Sequence, residues 1–134
     1  MIEMNLARAQ RVAAATLAEA GRAGIAMTVS VVDEGGRLVL TLRGDGTGFL
    51  TTETSRAKAV AAAAFKRATV EMVAMRKGNP AFWESIPGVS RGEALPSSGG
   101  VPVMLEGRVV GAVGCGGGTP EQDHQCATVG AAAV

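Results

Sequence analysis

Most of the groups that could do chemistry in this chain lie between Val109 and His124. An apolar run ends at Cys115, Gly116-Gly117-Gly118 follow, and Thr119-Pro120-Glu121-Gln122-Asp123-His124 opens a helix. Thr119 reads as its N-cap, Pro120 as its first residue and Gln122 as the partner in a capping box. A strand, a glycine elbow and a helix start together leave backbone N–H groups free, a socket for an anion or a polarised oxygen. Gly116, Gly117 and Gly118 are therefore candidate ligand-binding residues. His124, the only histidine, and Asp123 could move protons beside the socket, and a neutral His124 could ligate a metal. Cys115 is either a small packed apolar residue or a thiolate near the elbow. No base adjoins it in sequence, so packing is the simpler reading.

Helical spacing puts Gln122, Cys126, Val129 and Ala133 on one face of that helix, with Cys126 packed. His124 then falls opposite, toward solvent, a neighbouring loop or another subunit. Upstream, Arg56 and Lys58 stand among alanines. Such charges are either a solvated helix face or a receptor for a carboxylate. Asp45, in Arg43-Gly44-Asp45-Gly46, is a pocket carboxylate or a turn residue. Ser98, Gly99 and Gly100 end a long segment, and their hydroxyl and N–H groups could line the same pocket.

These candidates need elements to hold them. Asn5 caps a first helix that ends at Gly21 or Gly24. Ile25 to Val31 alternates as a half-buried strand, Asp33-Glu34-Gly35-Gly36 turns, and Leu38, Leu40 and Leu42 form the core face of the returning strand. Helices are expected from about Thr52 to Phe65 and from Thr69 to Arg76. Lys77 to Ser98, rich in proline and poor in periodicity, reads as a long loop or lid. Trp83 would plug it onto the body or a partner subunit. Two strands around Glu106-Gly107 form a second hairpin, whose latter strand puts Val109, Val113 and Cys115 on one face. Four strands joined as hairpins predict an α+β fold, a small antiparallel sheet with packed helices, in one domain spanning 1–134.

Composition removes several functions. The net charge of +1 gives no electrostatic case for nucleic acid or an anionic membrane surface. Aromatics are 3% of residues with no tyrosine, too few for base-stacking platforms. No apolar run reaches spanning length and no signal-like start is present, so a cytoplasmic protein is expected. Cys115 and Cys126 lack the spacing of a zinc site or disulfide framework, and no metal cluster is expected. Gly114 to Thr119 lacks the third glycine of a dinucleotide fingerprint, and no Gly-Lys-Ser/Thr marks a P-loop.

The segments Gly99-Gly100-Val101-Pro102-Val103, Gly111-Ala112-Val113-Gly114 and Thr119-Pro120-Glu121-Gln122-Asp123 resemble the GlcG/HbpS family, which also occurs at the C-terminus of PduO-type proteins. Val32-Asp33-Glu34-Gly35-Gly36, Arg43-Gly44-Asp45-Gly46 and Arg56-Ala57-Lys58-Ala59 follow the family's order, so the likeness covers the whole chain. The resemblance implies a profilin-like architecture and a homo-oligomer, and a pocket bordered by Arg56 and Lys58. His124 departs from it, since the family usually carries an acidic residue there. The leading function it implies is small-ligand binding, with haem the first candidate and His124 or Cys115 its possible ligand. An alternative is a cofactor-independent enzyme of small-molecule catabolism. There Arg56 and Lys58 hold a carboxylate, the elbow stabilises an oxyanion, and His124 or Asp123 moves protons. A non-catalytic assembly module is the third reading, suggested by the glycine and alanine content.

Overall fold

The computed structural model describes residues 2–134. Its elements run α1 (Leu6–Arg22), β1 (Thr28–Asp33), β2 (Leu38–Leu42), α2 (Thr51–Phe65), α3 (Thr69–Met75), α4 (Pro80–Val89), β3 (Gly100–Leu105), β4 (Arg108–Gly116) and α5 (Pro120–Ala131). The four strands form one antiparallel sheet in the order β2-β1-β4-β3. The α+β fold follows as expected.

One face of the sheet carries α1 and α5, with Val29, Val31, Val113 and Cys115 against Val12 and Ala127. The other carries α2, where Ala59, Ala62 and Ala63 meet Val32 and Ala112. Both central strands are thus covered twice, and β1 is not the half-buried strand its alternation suggested. Thr28 and Ser30 point under α2 and are fully buried. They stay there because their hydroxyls are satisfied: Ser30 Oγ lies 2.7 Å from Thr41 Oγ1 and 2.8 Å from Ser55 Oγ, and Thr51 donates to Thr28 at 2.8 Å. The strand also begins at Thr28 rather than Ile25, since Ile25 to Met27 pairs with no strand.

A further departure is α4, within the stretch expected to be a loop. Pro80 stands at its first position, where a missing N–H costs nothing. Trp83 and Ile86 then pack onto Ala61 and Met72. Trp83 sits between Phe65 and Phe82, with ring centroids 5.1 and 5.0 Å away. Tertiary packing of these few large side chains outweighs weak periodicity. The Glu106-Gly107 turn has positive φ at both residues (51° and 77°), the geometry that matches strand twist. A register shift between Val103 and Met104 changes the phase of β4, so Val110 rather than Val109 joins the core with Val113 and Cys115. No helix among the described residues is long and apolar enough to cross a membrane.

Helix α2 lies close on the sheet only where side chains are missing. A Cβ on Gly114 would overlap the Ser55 carbonyl and sit 2.7 Å from Ala59 N. In contrast, a Cβ on Gly21, inside α1, would meet nothing within 4 Å. Gly114→Ala is expected to lose about 3 kcal/mol or more in urea unfolding, at or above the usual range for overpacking. Gly21→Ala is expected to gain up to about 1 kcal/mol from helix propensity. Equal effects at the two positions would contradict this packing.

Candidate functional site

At the centre of the elbow stands a buried ion pair. Lys58, on the sheet-facing side of α2, is 8% exposed, and its Nζ donates to Asp123 Oδ2 at 3.0 Å and to the Cys115 carbonyl at 2.9 Å. The other carboxylate oxygen, Asp123 Oδ1, accepts the Gly118 N–H at 2.9 Å. The expected anion socket therefore exists, and the protein's own Asp123 fills it. Thr119 and Gln122 close the capping box as read from sequence. Burial pushes the Asp123 carboxyl above its ordinary range, against the lowering pull of Lys58 and of the Gly118 N–H.

Gly99 (φ +127°) and Gly100 let the β3 strand run over this pair. A Cβ on Gly99 would lie 2.9 Å from the Cys115 carbonyl and 3.0 Å from Asp123 Cβ, and one on Gly100 would overlap the Lys58 carbonyl. Cys115 is fully buried, and burial drives its thiol far above the ordinary value. It is a packed apolar group with no thiolate character. Cys126 is likewise buried and its thiol raised.

Burying Asp123 also changes where His124 points. The buried side of α5 is Asp123, Cys126, Ala127 and Gly130, while Gln122 is exposed and engaged in the cap. Relative to the expected face this is a turn of roughly 80° at 100° per residue. His124 consequently lies on the flank, half-buried, instead of opposite the core. Its Nδ1 is shielded from solvent and meets no hydrogen-bond partner. His124 lines a hollow of about 160 Å³ with Val70, Ser98, Pro120, Glu121 and Gln125. Ser98 and Pro120 also border a larger cleft of about 410 Å³, walled by Val73, Trp83, Pro87 and Leu95, with Arg76 and Glu84 among its polar residues. The two hollows share Ser98 and Pro120 and so adjoin, in a groove between α3–α4 and the start of α5.

The other candidates are not brought to this groove. Arg56, two residues from Lys58 and so about 200° around α2, turns away to pair with Glu93 at 2.9 Å and Glu53 at 3.7 Å. Asp45 is exposed in the β2–α2 loop and lines neither hollow. Gly116 packs against Thr51 and Thr54, and Gly117 (φ +128°) lies on the Ala26 carbonyl. Arg76 escaped the sequence reading, although Val70, Val73 and Arg76 carry a signal in their spacing of three along one helix face. Among the described residues no three metal-ligating side chains converge.

An ion pair so buried is held by complementarity: removing one partner strands the other charge. Lys58→Met and Asp123→Leu are each expected to lose about 3–5 kcal/mol in urea unfolding, and the double variant less than their sum. Additive losses would mean the pair is not coupled. Since the folded state raises the Asp123 carboxyl above its ordinary 3.8, the folded chain keeps that proton where the unfolded chain has lost it. Its contribution to stability is full below that value and declines as pH rises through the folded one. Asp123→Asn should remove that slope.

Comparison with known proteins accords with this architecture. Residues 4–132 match the family model described as haem degrading protein HbpS-like. The chain is 34% identical over 122 residues to an uncharacterized 15.0 kDa protein from the dhaT-dhaS intergenic region of Citrobacter freundii, covering 90% of this chain and 84% of that one. The crystal structure of Klebsiella pneumoniae protein ORFY superposes with a TM-score of 0.90 at 30% identity, over 99% of this chain and 92% of that one. The crystal structure of a PduOC:heme complex gives a TM-score of 0.89 at 25% identity, over 99% and 96%. With one fold and one family model spanning nearly its whole length, the chain belongs to the HbpS-like family.

Proposed function

We propose that this protein binds haem in the groove between α3–α4 and the N-terminus of α5. The observation that carries the reading is His124, which borders that groove and whose buried Nδ1 has no hydrogen-bond partner. A buried polar atom without a partner costs roughly 1–3 kcal/mol, so an imidazole left this way suits a ligand that engages it. The walls fit a flat apolar molecule: Val73, Trp83, Pro87 and Leu95 line the larger cleft. Support also comes from the haem complex of a protein with the same fold. Haem, when bound, would supply an iron that takes a protein ligand. His124 is the residue that would hold it, and Ser98 lines the same hollow with its hydroxyl. Cys115 is not assigned, because its buried, protonated thiol faces the core.

The carboxylate receptors that the small-carboxylate reading named are already engaged. Lys58 and the Gly118 N–H hold Asp123, and Arg56 holds Glu93.

Titrating the purified protein with haemin is expected to give a shifted Soret band that saturates at one haem per chain. His124→Ala should still bind but lose the imidazole-ligated spectrum, and added free imidazole should restore it. A band that never saturates would overturn haem binding. An unaltered spectrum in His124→Ala would remove His124 as the ligand.

A further inference from the structure

The groove has two unlike ends. Helix α3 runs along it, presenting Val70 beside His124 and Val73 and Arg76 toward the larger cleft. These three residues share one face at a spacing of three, so Arg76 stands about 9 Å along the helix axis from Val70. Arg76 is exposed, caps the C-terminus of α3 and forms no ion pair with any carboxylate of the described residues. Glu84 lines the same cleft but lies beyond ion-pair distance of it. Among the described residues, Arg76 is the one lysine or arginine that lines either hollow. The two cations within α2 are paired, Lys58 with Asp123 and Arg56 with Glu93 and Glu53.

From this polarity we infer that Arg76 is the specificity-determining residue of the groove, recognising carboxylate side chains on the edge of an otherwise apolar, planar ligand. The inference rests on the haem reading and deepens it. His124 and the apolar wall take the ring; Arg76 takes the propionates. A guanidinium is suited to this because its fork of donors meets a carboxylate bidentately and keeps its charge at any working pH. Its position at the open rim lets the carboxylates stay partly hydrated, so the site need not desolvate them fully. The selectivity that follows is for tetrapyrroles carrying free acids over their esters.

The test compares haemin with haemin dimethyl ester, which keeps the ring and iron and lacks the negative charges. Wild-type protein should bind haemin about tenfold more tightly than the ester, the scale of one charge-assisted hydrogen-bonded pair. In Arg76→Gln that preference should fall to near unity, with the Soret position and axial-ligand spectrum unchanged. Arg76→Lys should retain part of it. Raising the salt concentration should narrow the wild-type preference and leave the variant untouched. Equal affinity of wild-type protein for haemin and ester would overturn the role of Arg76 while leaving haem binding intact. So would an undiminished preference in Arg76→Gln. Failure of wild-type protein to bind either compound would overturn the haem reading itself, and the two failures are separated by that first titration. Far-ultraviolet circular dichroism of Arg76→Gln should match wild type, since this side chain makes no intramolecular ion pair.

Discussion

A lysine ammonium enclosed between a helix and a sheet is the constraint on which the site end of this molecule depends. Desolvating Lys58 is tolerable only if its charge is met by acceptors. The chain supplies two acceptors for its three N–H donors, the Asp123 carboxylate and the Cys115 carbonyl. Because the carboxylate comes from α5 and the carbonyl from β4, a single side chain on α2 ties together three elements distant in sequence. The Gly118 N–H completes the arrangement by satisfying the second carboxylate oxygen. Asp123 also lies in the first turn of α5, where the helix dipole favours a negative charge.

Such an arrangement needs backbones closer than ordinary side chains permit. Gly99, Gly100 and Gly114 supply that proximity on the sheet, and Ala57 and Ala59 supply it on the helix around Lys58. The composition that first suggests an assembly module therefore has a local explanation. Small residues let a long charged one reach across the interface and vanish from solvent. The hydroxyl cluster of Ser30, Thr41 and Ser55 works by the same logic farther along α2. There polar side chains of modest size satisfy each other where apolar ones would keep the helix away.

Much of the fold was legible because its signals are local. The capping box at Thr119 and the turn at Glu106-Gly107 each depend on neighbours a few residues apart. The core face read for β2, in contrast, does not hold: Leu38 and Leu42 are exposed, and Val39 and Leu40 are the residues packed on the core. What escaped depends on distance. Helix α4 forms because Trp83 and Ile86 find Ala61 and Met72, a contact no window of sequence contains. The free socket at the elbow was half right. The N–H group is there, but the sequence does not reveal that Asp123, five residues on, folds back into it. Arg56 and Lys58 looked like a pair through their proximity along the chain, yet two residues of a helix point in different directions, and each found another partner. The spacing of Val70, Val73 and Arg76 marks a helix face, but only the cleft enclosed by α3 and α4 gives Arg76 a place beside a pocket.

The orientation of His124 follows from the same ion pair. A helical wheel weighted by hydrophobicity places Asp123 at the edge and Gln122 inside, because it assigns charge to solvent. Lys58 reverses that assignment by making Asp123 worth burying, and the cap reinforces it by holding Gln122 outside. Once α5 is rotated to satisfy those two side chains, the next residue can lie only on the flank that faces α3. There the imidazole lies among Val70, Pro120, Ser98, Glu121 and Gln125, with no hydrogen-bond partner for Nδ1. An unsatisfied ring nitrogen is thus what remains when a deeper requirement fixes the helix, and the surrounding fold offers nothing to relieve it. Ser98, attached to Gly99 just as His124 is attached to Asp123, reaches the groove by the same route. The buried pair thereby determines the floor of the groove from beneath, although neither of its members lines it.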